Sequence, residues 1–368
     1  MPRPTILFYV SGHGYGHARR SAEVMQALRQ LIPDVALHAR TSAPADIFSG
    51  LLASPVSSSK IDLPIVEIDP LSIDWARTFA VAAERLEHRH AIVLEEAAAV
   101  RHLGPSLVVS DAPFLAGDVA EAFGVPRIAV TNFTWDWIYE PYAGVHPWAE
   151  GVVETARQSY RKMEALLQLP FGHPAPAFRE VIPVPLVARR GRLEREDVLS
   201  RLYISPANDS PRVLVAMRGG IPQDVLARAA ADAREFLFLT PQPRQLPANH
   251  PPNVHLARPD GDVDFSDLLS VSDVVLSKLG YGTIADAIAA DTRLLWPRRE
   301  GFREDDVTEV EAPRYLRMAE LPLDDFRAGR WRRSLEQAMA LPPPTADIST
   351  QGAAACAAFL AERLASVA

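Results

Sequence analysis

The stretch TILFYVSGHGYGHARRS, residues 5–21, determines the fold prediction. Its first six residues, TILFYV, form an apolar run with β-branched members, which predicts a buried strand. The residues from Ala18 to Leu31 predict a helix directly after it. Three glycines, spaced two residues apart, lie in the turn between them. A strand, a glycine-rich turn and a helix in this order are typical of the first βα unit of a Rossmann-like lobe.

The pattern of short apolar runs and helical stretches then repeats along the chain. SLVVSD (106–111) and RIAVT (127–131) predict further buried strands, and residues 74–102 predict one long helix. A second series begins at RVLVAM (212–217), after the proline-rich segment 169–190. Alternating strands and helices predict α/β architecture with doubly wound parallel sheets.

Two lobes follow from this organisation. We expect an N-terminal Rossmann-like lobe over residues 1–185, a C-terminal Rossmann-like lobe over 186–345, and a C-terminal helix over 346–368 that packs back on the first lobe. Ligands of such sheets bind at the carboxyl ends of the strands. The sequence therefore predicts a ligand held in a cleft between the two lobes.

The composition narrows the functional class. The 368 residues are 48% hydrophobic and 23% charged, which is typical of a soluble globular protein. A formal net charge of -8 argues against nucleic acid or an anionic membrane as the main partner. Cys356 is the one cysteine, so a reduced cytoplasmic setting is expected. The N-terminal apolar run is too short for a signal peptide or a membrane span.

Two interpretations of the glycine turn fit poorly. A dinucleotide fingerprint starting at Gly12 needs a third glycine where the chain has His17, and the second strand ends in HART with no acidic residue. A Walker A sequence does not occur in the chain. His13 and His17 have the four-residue spacing of some metal sites, but a glycine loop does not place both rings on one face. We expect no metal and no cofactor.

A third interpretation makes His17 a general base at the mouth of the helix. Histidine titrates near neutrality and can take a proton from an attacking hydroxyl. Asp111, at the end of a neighbouring strand, is the candidate carboxylate that orients it. The structural alternatives are a buried hydrogen-bonded histidine and an N-cap aspartate. His13 is either a second substrate contact or a structural ring in the turn.

A second GYG, in the stretch SKLGYGTIADAIA, also follows a predicted strand and opens a predicted helix. The free N–H groups of such a helix start can hold a diphosphate. The turn MRGG (217–220) is another anion-binding candidate, and two carboxylates in FREDD could bind sugar hydroxyls. The candidate donor-binding residues are Arg218, Gly219, Gly220, Lys278, Gly280, Tyr281, Gly282, Thr283, Asp286, Glu304 and Asp305. Each also has an ordinary structural interpretation, as a solvated side chain or a helix start.

These motifs together resemble the GT-B glycosyltransferases, whose two Rossmann-like lobes bind a nucleotide sugar. The resemblance implies that His17 is the base, Asp111 orients it, Asp286 binds ribose, and Glu304 with Asp305 holds the donor sugar. VSGHGYGHARR, VTNFTWDWIYEPY (130–142), PAFREVIPVPLVARR (176–190) and GYGTIADA look like the glycosyltransferase-like N-terminal half of plant L-arabinose kinase. No sugar-kinase half is expected here, so the resemblance implies no kinase activity.

The aromatic stretch 133–142 lies beside Asn132 and includes Trp135. It is predicted either to form an apolar wall for an acceptor or to pack at the domain interface. With Gly14, Gly16 and His13, these residues complete the expected substrate contacts.

The leading hypothesis is an inverting, metal-independent glycosyltransferase that moves a hexosyl or pentosyl group from a nucleotide-diphosphate sugar, UDP-linked, to a small-molecule or glycan acceptor. A nucleotide-sugar 2-epimerase or hydrolase on the same fold, and a non-catalytic nucleotide-sugar-binding protein, are the alternatives. The sequence does not specify the donor sugar, the acceptor or the oligomeric state.

Overall fold

The computed structural model describes residues 3–217, 219–241, 246, 248–257 and 263–366. The chain divides into two compact units. The first unit consists of Met1–Ile68, Ile73–Val187 and Ser349–Ala368, and the second of Asp69–Ser72 and Ala188–Ile348.

The first unit contains a six-stranded parallel sheet in the order β2-β1-β5-β6-β7-β8. The strands of this sheet are β1 (Thr5–Val10), β2 (Ala36–Arg40), β5 (Leu107–Asp111), β6 (Arg127–Thr131), β7 (Ala165–Gln168) and β8 (Val181–Pro183). The short strands β3 (Glu67–Asp69) and β4 (Ser72–Ile73) pair with each other, and Asp69 and Ser72 belong to the second unit. The helices of the first unit are α1 (Tyr15–Leu31), α2 (Trp75–Glu87), α3 (Arg89–Val100), α4 (Ala116–Phe123), α5 (Trp135–Tyr139), α6 (Ala149–Tyr160) and, at the C-terminus, α14 (Gly352–Ala365).

Burial explains why these segments form strands and helices. All six residues of β1 are buried, as a strand covered on both faces requires. Helix α1 buries one face, including Val24, Met25 and Leu28, while its other face stays polar. The C-terminal helix α14 packs against α1 and belongs to the first unit.

Two local predictions were wrong. The helix expected over 74–102 is two helices, because the backbone leaves the helical path at His88 (φ -99°, ψ 14°), whose N–H bonds to Arg85 and Leu86 instead of continuing the ladder. The proline-rich segment 169–190 was expected to be only a connection, but Val181–Pro183 adds β8 to the sheet beside β7. Proline is tolerated there because an edge strand leaves some of its N–H positions unpaired.

The second unit contains another six-stranded parallel sheet, in the order β11-β10-β9-β12-β13-β14. Its strands are β9 (Arg212–Val215), β10 (Leu237–Thr240), β11 (Val254–Leu256), β12 (Val274–Leu276), β13 (Arg293–Trp296) and β14 (Met318–Glu320). Its helices are α7 (Arg195–Arg201), α8 (Gln223–Asp232), α9 (Phe265–Ser270), α10 (Tyr281–Ala290), α11 (Arg303–Glu311), α12 (Leu323–Ala328) and α13 (Arg332–Ala340). Trp331 and Phe238 are the largest fully buried side chains of its core.

Each sheet has one place where the strand order reverses direction. In the first sheet β1 lies between β2 and β5, and in the second β9 lies between β10 and β12. Loops leaving the carboxyl ends of strands on either side of such a point diverge and leave room for a ligand. One predicted glycine turn follows β1, and the other follows β12, which lies beside β9 in the second sheet. Among the described residues no helix is long and apolar enough to cross a membrane.

Candidate functional site

The register of β1 and β5 brings the first glycine turn to the predicted carboxylate. Val10, the last residue of β1, pairs with Asp111, the last residue of β5, and the Ser11 N–H donates to the Asp111 carbonyl at 3.0 Å. The glycine turn therefore begins beside Asp111. His17 lies in the first turn of α1, and its Nδ1 is 2.8 Å from Asp111 Oδ1. The structure thus brings the two predicted catalytic residues together.

Arg20 was not among the residues predicted from the sequence. It lies between the His17–Asp111 pair and the end of β6. It follows His17 by three residues, so both side chains lie on the same face of α1. Its Nε donates to Asp111 Oδ2 at 2.7 Å and its Nη2 to Oδ1 at 2.5 Å, which is the bidentate geometry of an arginine–carboxylate pair. Its Nη1 donates to Asn132 Oδ1 at 2.7 Å. The spacing from His17 was the signal that could have identified it.

The electrostatics of Asp111 follow from these contacts. Burial alone would raise the pKa of this carboxyl, but the charges of Arg20 and His17 and their hydrogen bonds outweigh it and lower the pKa to about 2. The Ser21 hydroxyl also donates to Asp111 Oδ2, at 3.1 Å. Asp111 is therefore ionised at neutral pH. Its side chain is engaged by α1 and does not cap the helix that follows it.

The glycine turn is held from the opposite side by a segment that the sequence analysis did not single out. Asp62 Oδ2 accepts from the Gly12 N–H at 2.8 Å and from the Ser11 hydroxyl at 3.2 Å. His13 Nε2 lies 2.6 Å from the Leu63 carbonyl oxygen. His13 is thus a ring that anchors the turn, one of the two roles that the sequence left open.

Two glycines of the turn are required for different reasons. A Cβ on Gly12 would lie 1.8 Å from Ser42 Oγ and 3.1 Å from Ser42 Cβ, so a larger residue would displace the Ser42 side chain. Gly14 has φ 91° and ψ 170°, a region that only glycine adopts readily. Gly14 is also the N-cap of α1 and, having no side chain, makes no capping hydrogen bond. Gly16 lies inside the first turn of α1.

The aromatic stretch packs within the first unit rather than forming an open wall. Trp135 is 1% exposed and stacks on Tyr139, with ring centroids 5.2 Å apart. Its edge contacts the His13 ring at 5.5 Å. Trp137 stacks on His173 at 4.3 Å. The Trp135 ring fills the core beside the glycine turn, and its role as a substrate contact stays a prediction.

Three polar atoms in this neighbourhood are buried without a hydrogen-bond partner in the described part of the chain. They are Asp62 Oδ1, Trp135 Nε1 and the Tyr139 hydroxyl. Burial and the nearby Asp62 charge raise the pKa of Tyr139, so its hydroxyl stays protonated and can donate. An unpaired buried polar atom costs about 1–3 kcal/mol, so each is expected to bond to water or to a substrate group.

In the second unit, the second GYG forms the start of α10. Gly280 is the N-cap in an extended conformation, and no side chain caps the helix. The first turn, which contains Tyr281, Gly282 and Thr283, carries no acidic residue. No described atom lies within 4 Å of a Cβ built on Gly280, so space is open there. Helix α11 differs, because three acidic residues occupy its first turn. The start of α10 therefore keeps the positive end of its dipole available to an anion.

The turn after β9 lies at the reversal point of the same sheet. Gly219 and Gly220 both have φ 80°, and the Gly220 N–H donates to the Met217 carbonyl at 2.9 Å. Arg218 lies outside the described residues.

The predicted carboxylates of the second unit are engaged by arginines. Asp286 Oδ1 accepts from the Arg189 N–H at 2.9 Å, and its Oδ2 is 3.7 Å from Arg189 Nη2. Asp305 binds the buried Arg299 through both oxygens, at 3.0 Å from Nε to Oδ2 and at a shorter Nη2 contact to Oδ1. Glu304 Oε2 is 3.4 Å from the same guanidinium.

These contacts change the interpretation of Glu304 and Asp305. Both are buried, because the first turn of α11 packs around Arg299. Lys278, before α10, adds its charge to the same group and acts to lower the pKa of Asp305, although burial, the larger effect, leaves that pKa raised. Asp305 is thus primarily a partner of Arg299 rather than an open ligand for sugar hydroxyls. Among the described residues, no group of three or more His, Cys, Asp or Glu side chains is arranged to hold a metal ion.

Comparison with solved structures places both sheets in one known architecture. The glycosyltransferase of kitacinnamycin superposes with a TM-score of 0.63 at 15% identity, covering 100% of this chain and 96% of its own. A UDP-glucose: anthocyanidin 3-O-glucosyltransferase in complex with UDP gives 0.61 at 12% identity, with 99% of each chain covered. The chain has the GT-B fold. The predicted fold class is confirmed.

At the level of sequence, this GT-B chain is 32% identical to the L-arabinokinase of Arabidopsis thaliana over 346 residues. The alignment covers 91% of this chain and 32% of the relative, so the chain spans about a third of the length of the protein it matches. The calicheamicin glycosyltransferase CalG4 is a further structural match, with a TM-score of 0.59 at 17% identity, covering 100% of this chain and 95% of its own. No family model matches the chain.

Proposed function

We propose that this GT-B chain is an inverting glycosyltransferase that moves a sugar from a nucleotide-diphosphate donor, UDP-linked, to an acceptor hydroxyl without a metal ion. The observation that carries the proposal is the His17–Asp111 pair, with Nδ1 to Oδ1 at 2.8 Å, at the reversal point of the first sheet. The matched solved structures are of glycosyltransferases, one of them in complex with UDP, which supports the same class.

In the proposed reaction, His17 Nε2 takes the proton of the acceptor hydroxyl as that oxygen attacks the anomeric carbon. The bond from the anomeric carbon to the diphosphate oxygen breaks, and the diphosphate leaves with the electron pair. A single displacement of this kind inverts the configuration of the sugar. Asp111 holds the ring and stabilises the imidazolium that forms. A positioned base contributes roughly 10²–10⁴-fold in rate.

The departing diphosphate needs compensation for its negative charge, which the second unit is suited to provide. The uncapped first turn of α10 offers backbone N–H groups at Gly282 and Thr283. Lys278, with Arg218 and the glycines of the turn after β9, is proposed to complete this anion site. Such electrostatic stabilisation takes the place of a metal ion.

The remaining substrate contacts are assigned by the same reasoning. Asp286 is proposed to bind a ribose hydroxyl through its Oδ2, which lies 3.7 Å from Arg189 Nη2. The unpaired atoms of Asp62, Trp135 and Tyr139 support a hydroxylated acceptor, because one accepts and two donate hydrogen bonds. Sugars and phenols both offer such hydroxyls.

Calorimetric titration with UDP, other nucleoside diphosphates and their sugars tests the proposal. We expect UDP or a UDP-sugar to bind, and the absence of binding by every nucleotide at millimolar concentration would refute it. With a binding sugar donor, His17→Gln should reduce transfer by about 10²–10⁴-fold and leave donor affinity unchanged. His90→Gln, an exposed histidine of the same unit, is the matched control.

Incubation without an acceptor separates this function from the alternatives. Release of UDP or a changed sugar configuration in that mixture indicates a hydrolase or an epimerase. Tight nucleotide-sugar binding with no turnover across an acceptor panel indicates a binding protein.

A further inference from the structure

Arg20 lies beside the His17–Asp111 pair and contacts both of its residues. Arg20 is 5% exposed, so its charge is withdrawn from water. Its Nη2 lies within hydrogen-bond distance of three groups: Asp111 Oδ1 at 2.5 Å, Thr131 Oγ1 at 3.0 Å and His17 Nδ1 at 2.9 Å. A buried guanidinium in contact with both members of the pair affects where their protons and charges lie.

The hydrogen-bond network assigns the proton on His17. Arg20 Nη2 carries two hydrogens, and two oxygens, of Asp111 and Thr131, are placed to accept them. The Thr131 hydroxyl donates its own hydrogen to the Phe133 carbonyl at 2.9 Å, so its oxygen is free to accept from Arg20. His17 Nδ1 then donates to Asp111 Oδ1, and Nε2 keeps its lone pair. Any arrangement in which Nδ1 accepts from Arg20 loses the bond between His17 and Asp111.

The same arginine also alters the charge that His17 experiences. A lone carboxylate beside a histidine favours the imidazolium. Here the Asp111 charge is matched by Arg20 at bidentate distance, so the two together present almost no net charge to the ring. Two further described groups beside this pair are neutral: the Phe133 ring is 5.5 Å from the His17 ring, and burial raises the pKa of the Cys356 thiol on α14 to about 12.

We propose that Arg20 is a positioning residue that fixes the Nδ1–H tautomer of His17 and compensates the negative charge of Asp111 beside the ring. Its relevance to sugar transfer rests on the proposed function. The tautomer and the charge compensation do not, because they are properties of the protein without substrate.

Long-range ¹H–¹⁵N correlation spectra of the histidine rings, recorded across pH on the substrate-free chain, test the proposal. The His17 signals are identified by their absence in His17→Gln. The native spectrum should show protonated Nδ1 and unprotonated Nε2 at neutral pH. An Nε2–H tautomer would overturn the assignment.

Three variants then test charge compensation. Arg20→Gln should move the titration midpoint of the His17 ring to higher pH by about one unit or more, and Asp111→Asn should move it to lower pH. The double variant, which buries neither charge, should return the midpoint to near the native value. Arg19→Gln removes the neighbouring arginine, whose guanidinium lies 6.0 Å from the Tyr15 ring centroid, and should leave the midpoint unchanged.

The double variant keeps the test decisive if Arg20→Gln alone does not fold. The step from Asp111→Asn to the double variant removes only Arg20, so the midpoint must rise across it. A midpoint that does not move in this step, or that moves equally in Arg19→Gln, would overturn the proposal. Absence of transfer activity in the native chain, with these shifts intact, would count against the proposed function and not against the role of Arg20.

Discussion

Replacing Asp111 by asparagine should change how the stability of the first unit depends on pH. Asp111 is 1% exposed, and its interactions with Arg20 and His17 hold its pKa at about 2, against an ordinary value of 3.8. The unfolded chain therefore takes up a proton at this residue before the folded chain does as pH falls. Stability from Asp111 is complete above about pH 4 and is lost as the pH falls toward about 2.

The pKa difference sets the size of the effect. A difference of nearly two units corresponds to about 2 kcal/mol of unfolding free energy, of which about 1 kcal/mol is lost by pH 3. The Asp111→Asn variant has no such titration. It should be less stable at neutral pH, by roughly 3–5 kcal/mol, because Arg20 is left buried without its charged partner. The difference in unfolding free energy between the native chain and the variant should then decrease by about 1 kcal/mol from pH 5.5 to pH 3.

Urea unfolding followed by tryptophan fluorescence measures both quantities. Four of the six tryptophans, at positions 75, 135, 137 and 148, lie in the first unit, so the signal reports mainly on it. Asp34→Asn, at an exposed aspartate of the same unit, is the matched control, because it makes the same chemical change without removing the buried partner of Arg20. If the difference in unfolding free energy between the native chain and Asp111→Asn is constant over this range, the claim that Arg20 and His17 stabilise an ionised Asp111 is refuted.

Three further outcomes follow from the glycine turns and their supports. Gly14→Ala should lower the unfolding free energy by about 1–3 kcal/mol because of its φ of 91°, whereas Gly151→Ala, in open space on helix α6, should raise it by about 0.5–1 kcal/mol; urea titrations compare them. Thr283→Glu places a negative charge at the positive end of the α10 dipole, so it should add about 0.3–1 kcal/mol of stability in thermal unfolding. The same charge should weaken nucleotide binding at least tenfold in calorimetry. Thr283→Gln should have neither effect. Asp62→Ala should cost about 1.5–3 kcal/mol in urea unfolding, because the Gly12 N–H loses a charged acceptor; an unchanged midpoint would show that Asp62 does not hold the turn.

Local sequence determined the architecture of this chain and the position of its first glycine turn. The alternation of buried apolar runs with amphipathic stretches specifies parallel sheets, because a strand covered on both faces has to be apolar throughout. The run TILFYV and the turn after it therefore identify β1 and α1 directly. His17 could also be selected from the sequence, because it occupies the position where a dinucleotide fingerprint requires glycine.

Strand register, which involves residues about a hundred positions apart, was decided only by the tertiary structure. It placed Asp111 beside the glycine turn. The packing of loops and helices made Asp62 the support of that turn, buried Trp135 in the core and joined Asp305 to Arg299. Buried polar groups need hydrogen-bond partners, and the local sequence does not show which residues supply them. Arg20 is the clearest case. Its three-residue spacing from His17 was visible, but only the packing of α1 on β5 and β6 gave it Asp111 and Asn132 as partners.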